Sequence, residues 1–504
     1  MSNNTRQSEE PVSEKQRFLI LDALRGFALL GIALANFPEF ALWTFLSNSE
    51  QQEMATGGID EVVRFFHYML IDGKFYTIFS LLFGVGFGLF LSRHSVSRFL
   101  RRMLILALIG ACHLMFIWSG DILLLYAVGG MLLPLFIRLK DKALLIIALI
   151  LIFLPVGLDA LTEFAGIDFA GPFYDAWWRE AHAQGITAVN FATWLRDAHS
   201  YSQMFAFLLQ GAFERMWEFV SGHRLPRVVG FFLIGYFAGR HKVYADLKSY
   251  FTERYLDISL WFSIPWSILY GLSATGILSL GLTVHSALYT ISILSMSSTY
   301  IIGFCVAYQH TPSNYIFFPR MAAMGRMALS NYIGQSLIGI ILFYGLGFGL
   351  GASLGLVFII LITLVVFLLQ TFLSALWLKH FQFGPLEWLW RVLTYGHTLP
   401  IRRITPIILL MALLLTSCGQ KQRQGLYYGN YGYGYGDNNE TVDSVVEQKP
   451  IQKPKKALDD NYSPVPSSYE SESNEEEIPG EFGDNHGLID DEGYLQGPDI
   501  GYDE

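Results

Sequence analysis

Apolar residues fall along this chain in long runs, near positions 18–37, 75–92, 99–119, 121–138, 143–164, 226–240, 256–277, 281–307, 322–346 and 350–378. Most approach the ~20 residues that a bilayer-spanning helix needs. The pattern predicts an all-α polytopic membrane protein with about ten transmembrane helices. The run at 226–240 is short unless it extends back through FERMWEFVSGH. The stretch IDEVVRFFHYMLIDGKF, ahead of the second span, reads as an amphipathic segment lying at the interface.

Composition agrees with this reading. Only 15% of the 504 residues are charged and 52% are hydrophobic, whereas a soluble domain carries about 25% charged residues. The formal charge of −9 averages two unlike regions. Residues 419–504 hold 19 acidic against 6 basic residues, and the remainder holds 24 acidic against 28 basic. A weakly basic membrane body therefore carries an acidic tail, a balance that argues against a nucleic-acid partner.

Short-loop lysines and arginines set orientation. Arg93, Arg98, Arg101 and Arg102 join spans two and three; Arg138, Lys140 and Lys142 join four and five; Arg240, Lys242 and Lys248 join six and seven. Alternate connections such as WSGDI are nearly free of basic residues. This predicts a cytoplasmic N-terminus, residues 1–16 forming a disordered arm, and an external loop over about 165–225. That loop carries Asp175, Trp177, Trp178, Arg179, Glu180, His182, Trp194, Asp197 and His199. It reads either as an interfacial segment, where Trp is at home, or as a lid or acceptor-binding element.

After the membrane body, 17–403, a second signal begins. Arg402 and Arg403 precede a short apolar core ending at Leu415-Thr416-Ser417-Cys418. Basic residues, an apolar core, small residues and a cysteine together resemble a bacterial lipoprotein signal, with Cys418 as the lipidation site. A short extra anchor is the alternative for 404–418. The Gly/Tyr-rich and then Pro-, Ser- and acid-rich run at 419–504 has the composition of a disordered tail, expected outside the cytoplasm. Cys112 and Cys305 lie in separate apolar runs and form no disulfide framework, and no Cys/His spacing suits a metal.

Charge inside the apolar runs marks candidate sites. In RFLILDALRGFALLGIALANF, Asp22, Arg25, Gly26, Leu29, Ala33 and Asn36 share one helical face, about 100° wide. Asp22 and Arg25 are spaced to pair, either neutralising each other or offering Arg25 to an anionic ligand. His113, in GACHLMFIWSGD, is either an interhelical hydrogen-bonding group or a general base oriented by Asp121; whether Asp121 reaches it depends on the intervening turn. In GRMALSNYIGQSLIG, Asn331 and Gln335 lie on one face with Ser330 and Ser336 flanking them, a common kind of interhelical adhesive. KFYTIFSLLFGVGFGLF contributes Lys74 and the glycines Gly84, Gly86 and Gly88, which suit tight packing.

Five of these segments, in order, resemble the YeiB-like bacterial membrane proteins of domain-of-unknown-function family 418: LDALRGFALLGIALANF, KFYTIFSLLFGVGFGLFL, GACHLMFIWSGDILLLYAVGG, GRMALSNYIGQSLIG and GPLEWLWRVLTYGHTLPIRR. The likeness covers about 17–403 and implies a bacterial inner-membrane protein. The opening Leu21-Asp22-Ala23-Leu24-Arg25-Gly26 is also similar to that of transmembrane acyltransferases such as heparan-α-glucosaminide N-acetyltransferase. That more distant likeness implies transfer of an acyl group from cytoplasmic acyl-CoA to an extracytoplasmic glycan or small-molecule acceptor. In such a scheme Arg25, helped by Lys74, binds the phosphate or thioester end of acyl-CoA; His113 is the base, Asp121 orients it, and no cofactor is tightly bound. The alternatives are a transporter, with Asp22–Arg25 and Asn331–Gln335 forming a midplane site, and a non-catalytic scaffold.

Overall fold

A computed structural model describes residues 18–312 and 315–403. The expectations for residues 1–16, 404–418 with Cys418, and 419–504 lie outside the described residues. The described chain is helical throughout. It runs α1 (Leu19–Phe40), α2 (Asn48–Glu53), α3 (Gly57–Leu70), α4 (Lys74–Leu91), α5 (Val96–Phe116), α6 (Leu123–Leu132), α7 (Asp141–Ala165), α8 (Gly171–Ala183) and α9 (Trp194–Asp197). It continues with α10 (Tyr201–Ser221), α11 (Arg224–Arg240), α12 (Leu247–Tyr250), α13 (Glu253–Ala274), α14 (Leu282–His310), α15 (Phe317–Arg326), α16 (Ala328–Phe343), α17 (Leu356–His380) and α18 (Pro385–Tyr395). No β-strand occurs among the described residues; Phe381 and Arg402 form an isolated bridge.

Each of the ten apolar runs is helical over most of its length. Among the described residues, six segments are long and apolar enough to cross a membrane: α1, α3 with α4, α5, α7, α14 and α17. Leu123–Phe136 and Ala328–Phe343 are shorter apolar helices. The chain is thus a membrane protein whose helices contact the bilayer. The run at 322–346 is broken at Met327, between α15 and α16. The run at 226–240 does not extend back through FERMWEFVSGH as one helix: His223 takes a left-handed conformation (φ 44°) between α10 and α11.

Glycines let the helices approach closely. A Cβ on Gly84 would lie 2.0 Å from the Phe232 carbonyl oxygen, and one on Gly235 would lie 2.0 Å from that of Leu81, so α4 and α11 meet backbone to backbone. The α1–α15 contact is equally tight at Gly26 and Gly325. Along α1, Gly31 faces Phe75 while Arg25 faces Gly86, so α1 and α4 run antiparallel.

Two amphipathic helices, α3 and α18, do more than cover a surface. On α3, Ile59, Val62 and Phe66 are exposed, but Asp60 is buried. Its carboxylate accepts from Thr56 Oγ1 (2.8 Å) and from the Val357 N–H (2.9 Å) at the start of α17. On α18, Glu387 accepts from the N–H groups of Leu329 (2.6 Å) and Ser330 (3.0 Å), capping α16, where an anion is favoured. Also on α18, Trp390 donates its indole N–H to the Arg102 carbonyl (3.0 Å), and the Arg102 guanidinium lies 4.0 Å from its ring.

Gly84→Ala should lower the thermal midpoint in detergent micelles, with overpacking costing about 1–3 kcal/mol. Gly157→Ala should leave the midpoint unchanged or raise it, since nothing lies within 4 Å of a Cβ there. Equal midpoints for the two variants would contradict the α4–α11 contact.

Candidate functional site

One end of the helical body holds a cavity of about 1220 Å³. Glu39, Asp159 and Tyr270, toward the C-terminal ends of α1, α7 and α13, line it. So do Phe75, Arg227, His285 and Leu356, near the N-terminal ends of α4, α11, α14 and α17. These helices therefore alternate in direction, which gathers their polar ends in one place. The long segment between α7 and α11 folds into α8, α9 and α10 and supplies an aromatic wall: Trp177, Trp178 and Trp217 line the cavity, and Trp177 is only 2% exposed. The Trp177 ring stacks on both neighbours, 5.1 Å from Trp178 and 5.4 Å from Trp217.

His113 sits in the last turn of α5. The chain reverses through Trp118–Asp121, and Asp121 Oδ1 accepts the Leu124 N–H (2.8 Å) at the start of α6. Gly110 makes this reversal possible, because a Cβ there would meet Leu124 N at 2.6 Å. The turn returns Asp121 to His113, with Oδ2 2.8 Å from Nδ1. On the other side of the ring, Nε2 is 2.9 Å from Ser336 Oγ on α16. Ser336, His113 and Asp121 thus form one hydrogen-bonded chain, all three buried. Asp121 and Tyr332 line the cavity beside it, and the Tyr332 ring lies 5.3 Å from that of His113.

The other sequence-derived candidates fall elsewhere. Asp22 and Arg25 pair as their spacing implies, Oδ1 to Nη1 at 2.6 Å, near the start of α1 and away from the cavity. Lys74 does not join them. It lies at the opposite end of α4 from Gly86, about 18 Å along the helix. There it is fully buried, donates to the Tyr68 carbonyl (2.6 Å) and sits 4.6 Å from the Tyr270 ring. Asn331 and Gln335 tie α16 to α17. Asn331 Nδ2 donates to Ser374 Oγ (2.9 Å), Gln335 Nε2 donates to Gln370 Oε1 (3.1 Å), and Gln370 returns a bond to the Asn331 carbonyl (3.1 Å).

A charged cluster that the sequence reading did not single out lines the cavity. Arg215 on α10 donates through Nε to the Ser119 carbonyl (2.8 Å), so it holds the turn that carries Asp121. Its guanidinium also pairs with Glu218 and with Glu39 (3.3 Å). The available signal was the charge spacing in FERMWEF, with Glu214, Arg215 and Glu218 on one helical face. Burial, with the nearby charges of Glu218 and Glu39, raises the Glu214 carboxyl well above its ordinary value.

Comparison with known proteins gives the chain its relatives. Residues 238–397 match the family described as "Protein of unknown function (DUF418)". The chain is 28% identical to the "Uncharacterized 39.9 kDa protein in amylase 3'region" of Bacillus acidopullulyticus, over 78% of this chain and 98% of that one. It is 27% identical to "Uncharacterized protein YxaH" of Bacillus subtilis, over 79% and 100% of the two chains. It is also 27% identical to "Uncharacterized protein YeiB" of Escherichia coli, over 75% and 96%. No solved structure matches the chain.

Glu214 carries a pH prediction. With its folded pKa raised above the unfolded value near 4.5, the folded protein keeps a proton that the unfolded chain releases. This contribution is complete below that value and is lost as pH climbs through the raised one. The thermal midpoint should therefore fall more steeply as pH rises above the ordinary carboxylate range in the wild type than in Glu214→Gln. Parallel profiles would refute the assignment.

Proposed function

We propose that this chain, which is similar to YeiB of Escherichia coli and matches the DUF418 family over residues 238–397, carries out acyl transfer at Ser336, His113 and Asp121. The order of hydrogen bonds carries this reading. A neutral imidazole donates from one ring nitrogen and accepts at the other. With Asp121 accepting at Nδ1, Nε2 faces Ser336 Oγ as a base. Nucleophile, base and orienting carboxylate follow one another as they do in acyl-transfer enzymes on unrelated folds.

In the first half-reaction Ser336 Oγ attacks the carbonyl of an acyl thioester while its proton passes to His113 Nε2. The carbon–sulfur bond breaks, and the departing sulfur takes that proton, leaving an ester on Ser336. In the second, an acceptor hydroxyl held in the cavity attacks the ester, and its proton passes through His113 back to Ser336 Oγ. Asp121 keeps Nδ1 protonated and offsets the transient imidazolium charge. Since His113 and Ser336 are buried behind the wall that includes Tyr332, the acceptor held in the cavity reaches the ester when the Tyr332 ring swings aside.

The basic short loops orient the Arg25 end toward the cytoplasm. Arg25, held by Asp22, presents a planar donor fork suited to the phosphates of acyl-CoA. The cavity then opens to the other side and receives a glycan or small-molecule acceptor. Lys74 takes no part in donor binding in this scheme.

One observation favours a transporter instead. The cavity reaches Gly31, about 9 Å along α1 from Arg25. Below it Phe27, Phe75, Tyr300 and Phe304 pack as an aromatic layer, with ring centroids 5.0–5.4 Å apart for Phe27–Phe75, Phe27–Phe304 and Phe75–Tyr300. A one-sided cavity ending at such a layer also suits alternating access.

Membrane vesicles given radiolabelled acetyl-CoA should yield a hydroxylamine-labile label on the protein. Ser336→Ala and His113→Ala should each reduce it by about 10³-fold or more at unchanged expression. Asp121→Asn should cost about 10²–10⁴-fold. Labelling that survives Ser336→Ala would end the mechanism. Solute uptake by all three variants with no labelling of the wild type would favour transport.

A further inference from the structure

We infer that the cavity contains an anion subsite centred on Arg227, and that its ligand is a hydroxyl-rich molecule carrying one phosphate or carboxylate group. The inference requires only that the cavity binds a ligand, and it stands whether or not acyl transfer occurs.

Arg227, in the first turn of α11, is 5% exposed and lines the cavity. Its guanidinium lies 4.9 Å from the Tyr289 ring, and Nη1 donates to the Gly222 carbonyl at 3.2 Å. The buried Nε has no acceptor. Among the described residues no ion pair is formed by Arg227, whereas Arg215 and Arg224 both face Glu218. The nearby carboxylates are engaged: Asp159 pairs with His223 (3.2 Å), and Asp72 accepts from the Tyr270 hydroxyl.

A guanidinium out of water with no countercharge is costly. It is also a fork of donors fitted to the oxygens of phosphate or carboxylate. A second unanswered group lies on the same wall. Ser286, one turn before Tyr289 on α14, is 6% exposed and lines the cavity, and its buried hydroxyl has no partner. Arg227 through Nε and Ser286, one turn from Tyr289, thus offer a cation and a hydroxyl with unsatisfied polar atoms on the lining of one cavity.

The rest of the lining limits what can sit there. Seven carboxyl side chains but only four arginines border the cavity, so a polyanion is repelled. A single negative group anchored at Arg227 leaves the remaining carboxylates to accept hydroxyl groups, and the tryptophan wall offers flat apolar faces. Sugar phosphates and sugar acids combine these features.

The test uses the purified full chain in detergent, following its thermal midpoint by intrinsic tryptophan fluorescence at fixed ionic strength. The probes are hexose 1-phosphates, hexuronates, the parent hexoses and inorganic phosphate. A charged sugar should raise the midpoint at a concentration at least about tenfold below that needed by its parent hexose or by inorganic phosphate. Arg227→Gln should weaken the response by about tenfold or more, Arg227→Lys should restore part of it, and Arg224→Gln should retain it. If Arg227→Gln fails to fold, Ser286→Ala serves as the second probe, with a several-fold weaker response expected. Equal responses to charged and neutral sugars, a response that survives Arg227→Gln, inorganic phosphate matching the sugar phosphate, or no response to any probe would each overturn the inference. The same shift in Ser336→Ala separates this outcome from the fate of the transfer reaction.

Discussion

Satisfying polar groups without water is the constraint on which this structure depends. Within a bilayer an unmade hydrogen bond has no solvent to fall back on, so the polar side chains of the apolar helices meet one another. Asp22 meets Arg25, His113 is held at both nitrogens, and Asn331 and Gln335 engage Ser374 and Gln370. Even Lys74, enclosed at the start of α4, has a carbonyl and an aromatic face. Where the helices part to form the cavity this satisfaction is incomplete: Arg227 and Ser286, like Trp43 and Thr44, carry buried polar atoms without partners there.

Close approach makes that satisfaction possible. A serine and a histidine on different helices can bond only when the helices are fixed to within a fraction of an ångström. The glycines at α4–α11, α1–α15 and α5–α6 supply that precision by letting backbones touch. The polar pairs and the glycine contacts are therefore two halves of one arrangement. Side chains large enough to fill the glycine positions would separate groups that have no alternative partner.

The apolar runs made the helices legible, and local spacing made the Asp22–Arg25 pair legible, because an i,i+3 contact needs nothing beyond one helix. His113 and Asp121 were legible as candidates but not as neighbours, since their contact depends on how the chain reverses after α5. Ser336 was visible only as a flanking hydroxyl; its bond to His113 joins residues 223 positions apart. Lys74 shows the converse failure. Its chemistry resembles that of an anion-binding partner for Arg25, but the antiparallel course of α1 and α4 carries the two to opposite ends. Asp60 and Glu387 were not singled out in the sequence, because each caps the first turn of a helix distant in sequence and no local spacing reveals such a contact.

The position of α18 has a mechanical consequence. Through Glu387 it grips the first turn of α16, and through Trp390 it grips α5 at Arg102. Ser336 rides on α16 about 9 Å beyond one grip, and His113 rides on α5 about 16 Å beyond the other. A short crossbar therefore joins these two helices, in addition to the glycine contacts that hold the body together. A peripheral helix thus ties together the two helices that carry Ser336 and His113, at points remote from both residues.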